Sequence, residues 1–228
     1  MAETHVGGPF RLGAASGKGT SKGLRGSATS PFFVYTITPA TLSATAVAAA
    51  QAVAGAGNLT INGASATAGV ATMDVPRAVG ILSTNAGDTT QTATVYGTDV
   101  YGVSMVETIA FNGTNAVNGK KAFKTITRVA ISAAMTGNAT VANTGIFGLP
   151  YVVGNRGAVQ TAWNSAFVTT GTFTAAVTTN PATATTGDVR GTYLVPDAAD
   201  GTKVLYVWMY IADPETNNGL YGIDQYGG

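Results

Sequence analysis

Hydrophobic and polar residues alternate in short runs along most of the chain, and a period of two predicts β-strands. The clearest runs are 31–38, 69–84, 90–99, 103–111, 124–135, 139–150 and 201–213. Glycine, asparagine and aspartate separate these runs roughly every 8 to 15 residues, a spacing typical of a sandwich or barrel. We therefore predict an all-β fold, a jelly-roll-like β-sandwich with an extended N-terminal arm.

The alanine-rich stretch from Pro39 to Gly57 is the one segment whose pattern allows a helix. Thr38 could cap it, Pro39 suits the first helical position, and Gly55 could end it. Its interior threonines and the lack of an amphipathic stripe fit a loop with one helical turn equally well.

Composition divides the chain into three parts. Residues 1–30 form a basic arm rich in glycine and serine, whose charged side chains include Arg11, Lys18, Lys22 and Arg25. So few apolar residues cannot close a core, and we expect the isolated arm to be mobile. It is either an unused tail or a strap that orders against a partner.

Residues 31–153 are predicted to form the sandwich core. Residues 154–228 add further strands and a tail rich in tyrosine and glycine.

Charge and apolar content exclude several classes of protein. Only 10% of residues are charged and 45% are hydrophobic, the opposite of a disordered chain. A net charge of +1 gives no general attraction to nucleic acid or anionic membranes. No run approaches the roughly 20 apolar residues that cross a bilayer, and the N-terminus lacks the apolar core of a secretory signal. We expect a soluble protein made in a cytoplasm, independent of disulfides because it has no cysteine.

The stretch VYGTDVYGVSMVETIAF, residues 95–111, resembles an active site because Asp99, Tyr101, Ser104 and Glu107 lie close together. A carboxylate pair such as Asp99 and Glu107 could serve a glycosidase. In a hairpin, however, Asp99 would lie in the turn and accept hydrogen bonds from the local backbone. Glu107 would fall on the polar face of the returning strand, where an exposed carboxylate is expected. We predict structural roles for both and no enzymatic activity.

Other reactive groups are too few or too poorly spaced to form a site. The single histidine, His5, lies in the arm, so it cannot readily complete a catalytic triad or a zinc site. The sequence GKGT at 17–20 lacks the preceding strand and following helix of a phosphate loop. Asp213, Glu215 and Asp224 lack the spacing of a calcium loop. We predict no catalytic residues, no metal, no cofactor and no small-molecule substrate.

Two sets of surface residues allow more than one interpretation. Lys120, Lys121, Lys124 and Arg128 form a basic cluster, either a solvated strand edge that discourages unwanted pairing or a contact for an acidic partner surface. Nucleic acid is less favoured because no aromatic residues interleave with these charges.

Exposed tryptophans would favour a carbohydrate-binding or adhesin module, and Trp163 and Trp208 are its candidates. Trp208 lies in the most apolar run of the chain, residues 204–212, so we expect it in the core. The position of Trp163 is open.

Several turn and strand motifs resemble those of a group of tailed-bacteriophage virion proteins. The motifs are Asn-Leu-Thr-x-Asn-Gly at 58–63, Gly-Val-Ala-Thr at 69–72, Gly-Thr-Asp-x-x-Gly at 97–102, Glu-Thr-Ile at 107–109 and Lys-x-Phe-Lys-Thr-x-Thr at 121–127. The C-terminal stretch 178–211 is also similar to the tails of such proteins. The resemblance spans most of residues 55–225 and implies a particle component. Within that class we favour a capsid decoration, or cement, protein.

Such a protein would bind the major capsid protein as a homotrimer on the virion surface, without nucleic acid or membrane as a partner. A head-to-tail adaptor, a fibre or a fibre-anchoring protein is the alternative. A surface with few charges and much threonine, alanine and glycine loses little on desolvation, as broad protein contacts require. The residues that we predict to contact partners are Phe10, Arg11, Lys18, Lys22, Arg25, Phe32, Phe33, Tyr221 and Tyr226.

Overall fold

The structure, a computed structural model, describes residues 10–11, 31–154, 159–167, 170–177, 185 and 187–210. For residues 10, 11, 31, 32 and 210 the description is limited to the backbone. Within these ranges every regular element is a β-strand, so the all-β prediction is confirmed. No helix in the described ranges is long and apolar enough to cross a membrane.

The described strands follow one another with short connections through most of the chain. In chain order they are β1 (Phe10–Arg11), β2 (Pro31–Ile37), β3 (Ala48–Ala52), β4 (Gly57–Asn58), β5 (Ala66–Thr67), β6 (Val70–Ser83), β7 (Thr92–Thr98), β8 (Ser104–Ala110), β9 (Val117–Asn118), β10 (Phe123–Ile131), β11 (Asn138–Gly148), β12 (Val159–Trp163), β13 (Ala166–Phe167), β14 (Thr172–Thr174), β15 (Thr192–Leu194) and β16 (Leu205–Tyr210).

These strands form two antiparallel sheets. The larger sheet has eleven strands, is curled, and follows the order β14-β15-β11-β6-β10-β7-β8. The short strands β3, β4, β5 and β9 pair beside this path with β11, β10, β6 and β6 respectively. The smaller sheet has five strands in the order β1-β2-β16-β12-β13.

The smaller sheet joins distant parts of the chain. Its central strands β2 and β16 pair from Ile37 opposite Leu205 to Phe32 opposite Tyr210. A strand from the start of the predicted core therefore lies beside one from the predicted C-terminal part. The predicted boundary after residue 153 stays a prediction.

The larger sheet packs a core from alternate residues of its long strands. Val95 of β7, Ile126 and Val129 of β10, and Val141 of β11 are each 0% exposed. These residues belong to one continuous hydrophobic cluster. The period-two pattern places them on one side of the curled sheet, and an irregularity in β10 between Ile126 and Arg128 returns Val129 to the side of Ile126. Burial of each side chain contributes about 1.5–3 kcal/mol.

A second core lies where the two sheets meet. Leu205, Val207 and Met209 point inward from β16 and are completely buried. They join Phe147 of β11 and Tyr193 of β15, which come from the larger sheet. The smaller sheet is therefore held to the larger one by an apolar contact.

The alanine-rich stretch 39–57 contains no helix. Residues 48–52 form β3, which pairs with β11, so the helix interpretation is wrong and the loop interpretation holds only for residues 39–47, without a helical turn. The chain turns at residues 44–45 before the strand begins. A Cβ added at Gly63 would lie 2.1 Å from the carbonyl oxygen of Thr45, so two backbone segments touch here. The missing Cβ of Gly63 allows this close approach. Tertiary packing here overrides helix propensity.

The basic cluster does not form a solvated edge, because β10 lies between β6 and β7. Lys121 is 0% exposed. The Lys124 Nζ donates to the carbonyl oxygen of Met73 at 2.6 Å. The Arg128 guanidinium lies over the ring of Tyr96, 3.6 Å from its centroid. The edge interpretation is therefore wrong, although Lys120 and Arg128 are exposed. A contact with an acidic partner surface stays a prediction.

Gly97 of β7 offers a direct test of the close packing in the larger sheet. A Cβ at this position would lie 1.9 Å from the backbone oxygen of Thr125. We expect Gly97→Ala to lower the free energy of unfolding by about 2–3 kcal/mol, because β7 and β10 would have to separate.

Gly55→Ala is the matched control, since nothing lies within 4 Å of its added Cβ. Urea unfolding of both variants measures the difference. Equal stabilities would show that β7 and β10 are not packed as closely as the structure has them.

Candidate functional site

Asp99 organises the loop between β7 and β8. Its Oδ1 accepts hydrogen bonds from the backbone N–H of Tyr101 at 2.8 Å and of Val103 at 2.9 Å. Gly102 has a φ of +81°, which suits glycine in such a turn. The prediction that Asp99 binds the local backbone is confirmed.

Asp99 also forms a buried ion pair that the sequence pattern did not reveal. Its Oδ2 accepts a hydrogen bond from Arg190 Nη1 at 2.6 Å, and both side chains are 2% exposed. The Arg190 guanidinium lies 4.6 Å from the ring centroid of Tyr101. The partners are 91 residues apart, so only the folded chain brings them together.

Glu107 is buried, which makes the prediction of an exposed carboxylate wrong. Its side chain is 2% exposed, and its two oxygens accept the N–H groups of Lys120 at 2.5 Å and Lys121 at 3.2 Å. Gly119 permits this approach, since a Cβ there would lie 2.5 Å from Glu107 Oε2. Burial raises the pKa of Glu107 to about 7, against the lowering effect of the two backbone hydrogen bonds.

Asp188 has a similar arrangement beside Glu107. It is 4% exposed and accepts hydrogen bonds from the N–H groups of Ala122 at 3.0 Å and Arg190 at 2.8 Å. Burial raises the pKa of Asp188, and the nearby charge of Asp99 adds to that shift. Asp99, Glu107, Lys121, Asp188 and Arg190 are called the charge cluster below.

The carboxylates of the charge cluster hold backbone amides. Its five side chains are between 0 and 4% exposed. Glu107 and Asp188 direct their oxygens at main-chain amides, and Asp99 does the same in its turn. Among the described residues no group of three or more His, Cys, Asp or Glu side chains could hold a metal ion.

Exposed aromatic side chains lie elsewhere, on the outer side of the smaller sheet. Tyr206 and Trp208 of β16 point away from the core, with ring centroids 5.8 Å apart and planes at 18°. Phe167 of β13 lies against Trp208 at 5.6 Å. Phe167 is 71% exposed, the most of any large hydrophobic residue that the structure describes outside its gaps.

The structure places both tryptophans, and Trp208 differs from expectation. Trp163 is 3% exposed in the second core, and its Nε1 donates to Asp197. Trp208 lies on the outer side and is partly exposed, so its prediction as a core residue is wrong. The alternation of Tyr206 and Trp208 with the buried Val207 could have revealed this, because neighbouring strand residues point to opposite faces.

The neighbours of these rings carry no charge. Val34 and Gln160 lie opposite Trp208 on the two flanking strands, and Thr36 lies opposite Tyr206. Directly opposite residues share a face of the sheet. The surface called the aromatic face below consists of Val34, Thr36, Gln160, Phe167, Tyr206 and Trp208.

Four of the predicted contact residues lie in the smaller sheet. Phe10 and Arg11 form β1, and Phe10 lies opposite Phe32 of β2. Phe33 points inward, with its ring 4.4 Å from that of Tyr151. The remaining predicted contacts, Lys18, Lys22, Arg25, Tyr221 and Tyr226, lie outside the described residues. A partner role for all nine stays a prediction.

A groove on the larger sheet is a second surface feature, with a volume of about 500 Å³. Leu42 and Leu194 line it and are 37% and 39% exposed. Its lining is mostly small or apolar, with Asp197 as its one charged side chain.

Comparison with family models, with curated proteins and with solved structures gave no match for this chain.

The ion pair in the charge cluster yields a prediction about stability. Arg190→Met would leave Asp99 buried without this partner and would also remove a cation beside Asp188. We expect the free energy of unfolding to fall by about 3–5 kcal/mol. Equilibrium denaturation in urea measures this change in the free energy of unfolding.

Lys203→Met is the control, because Lys203 lies 3.3 Å from Asp197 in a pair that is open to solvent. Such surface pairs contribute about 0–1 kcal/mol. Should Arg190→Met cost no more than Lys203→Met, the charge cluster would not have the structural role that we assign to it.

Proposed function

We propose that the chain is a capsid decoration protein, which binds the outer surface of the icosahedral head of a tailed bacteriophage and is not an enzyme. Its partner would be the major capsid protein, and the bound form would be a homotrimer on the virion. The structural observation that supports the proposal is the aromatic face. The resemblance of the turn and strand motifs to phage virion proteins supports it from the sequence.

The chemistry of the aromatic face suits a protein partner. Trp and Tyr are enriched among the residues that dominate binding energy at protein interfaces. Phe167, Tyr206 and Trp208 are held by a sheet and by one another, so little side-chain entropy would be lost on docking. The flanking residues are uncharged, so docking there desolvates no ionised group.

The location of the predicted contacts also supports docking through the smaller sheet. Phe10, Arg11, Phe32 and Phe33 belong to its strands. The other five predicted contacts lie in segments that adjoin the same sheet along the chain, between β1 and β2 or after β16. We propose that these segments dock together with the aromatic face, while Phe33, whose ring packs against Tyr151, supports the sheet from within.

The proposal also includes the type of β-fold and the role of the N-terminal residues. We propose a jelly-roll-like sandwich, with residues 1–30 as an extended arm that straps the subunit to its neighbour. The basic side chains of the arm would meet an acidic surface on the shell. An arm that is disordered until it binds can reach over a wide area of the partner.

Docking through the aromatic face predicts a loss of particle binding on mutation. We expect Phe167→Ser combined with Trp208→Ser to weaken binding to undecorated heads at least about tenfold, because truncated hot-spot residues cost about 2 kcal/mol or more each. Co-sedimentation of purified protein with heads measures it.

Leu194→Ser on the larger sheet is the control, with a side chain 39% exposed. Thermal unfolding must show both proteins folded. Unchanged binding by the double variant would reject docking through the aromatic face. Loss of binding by the control alone would place the contact on the groove.

The copy number in purified particles tests the class of protein. A decoration protein covers the shell, so we expect hundreds of copies per virion, measured by quantitative mass spectrometry against the major capsid protein. Copies in the tens or fewer would instead indicate an adaptor, a fibre or a fibre-anchoring protein.

A further inference from the structure

The charge cluster contains more acid than base among its described side chains. Asp99, Glu107 and Asp188 are carboxylates, whereas Lys121 and Arg190 are cations. With every group ionised, these five side chains would carry one net negative charge. All five are at most 4% exposed, so water cannot screen that charge, and an uncompensated buried charge is costly.

The hydrogen bonds in the cluster do not remove the imbalance. Glu107 and Asp188 accept bonds from four backbone N–H groups, which are neutral. Arg190 pairs directly with Asp99 at 2.6 Å, so its cation is shared between Asp99 and the nearby Asp188. Glu107 and Asp188 repel each other.

The cluster lies where the chain passes between the two sheets. Arg190 and Gly191 accept hydrogen bonds through their carbonyl oxygens from the N–H groups of Val153 at 3.0 Å and Leu149 at 3.1 Å. Residues 149–153 lead from β11 towards β12 of the smaller sheet. The cluster therefore fixes the junction between the sheets.

We propose that the charge cluster takes up one proton when the chain folds, so that the junction between the sheets becomes more stable as the pH falls from about 7 to about 5. The proton goes to the carboxyl pair of Glu107 and Asp188. This inference concerns the folded chain alone and does not depend on the proposed role at the capsid.

The direction of the effect follows from burial. The pKa of Glu107 rises from its ordinary value of 4.5 to about 7, and that of Asp188 moves the same way. The folded chain then holds a proton that the unfolded chain has released. Stability from this group is complete below about pH 4.5 and is lost as the pH rises through about 7.

The other titratable groups around the cluster are the side chains of Lys120, Lys121 and Arg190 and the phenol of Tyr101. Asp99 is held in its ion pair and by two backbone N–H groups.

Selective labelling observes the proton directly, because the chain has three glutamates, at positions 3, 107 and 215. Carbon-13 NMR of the full protein, with labelled glutamate carboxyls, should give one signal that titrates at least about two pH units above the other two. Glu107→Gln should remove that signal. Three signals that titrate together would show that Glu107 does not hold the proton.

Unfolding measurements then test the link to stability. Between pH 5 and 7 we expect the folding equilibrium constant of the wild type to fall up to about tenfold per pH unit. In Glu107→Gln most of that dependence should disappear. A flat wild-type profile, or an unchanged slope in the variant, would overturn the proposal. If Glu107→Gln does not fold, the pH dependence of wild-type stability and the glutamate titration decide whether the proposal holds.

Asp88→Asn is the matched control, since Asp88 is also a buried carboxylate that accepts backbone N–H groups. Hydrogen bonds from Ser83, Thr136 and Gly137 hold the pKa of Asp88 below its ordinary value. It stays ionised throughout the range, so its loss should lower stability and leave the slope between pH 5 and 7 unchanged.

Discussion

The satisfaction of buried carboxylates by backbone N–H groups is the constraint on which the junction between the sheets depends. Glu107 and Asp188 bind three successive amides, those of residues 120–122, and thereby fix the entry into β10. The same Asp188 fixes the backbone of Arg190, which pairs with Asp99. A buried charge without such partners would destabilise the fold by several kcal/mol, so the loops can adopt few other conformations.

This arrangement gives structural contacts to Asp99 and Glu107, the acids that are grouped along the sequence. Their oxygens are occupied by main-chain donors, and water does not reach them. The exposed aromatic side chains lie on a separate surface, the outer side of the smaller sheet. Structural charge and candidate contact surface are thus separated in space, which fits the proposed role of a subunit that binds other proteins.

Much of the fold followed from the sequence, whereas little of the site did. Alternation located β7 and β8, and the turn role of Asp99 followed from its place between them. The burial of Glu107 did not follow, because the segment that covers it comes from residues 119–121. The alternation of Trp208 with Val207 indicates that the two side chains point to opposite faces of the strand. The high apolar content of residues 204–212 instead led to the prediction that Trp208 is buried.

Local alternation and turn chemistry by themselves determined that this chain is all-β and where its long strands lie, since both depend on neighbouring residues. Only the tertiary structure decided that β2 pairs with β16, that residues 48–52 form a strand, and that Asp99 meets Arg190. These outcomes depend on contacts between residues far apart in sequence. A period-two pattern gives the face of each strand and leaves its neighbours unspecified.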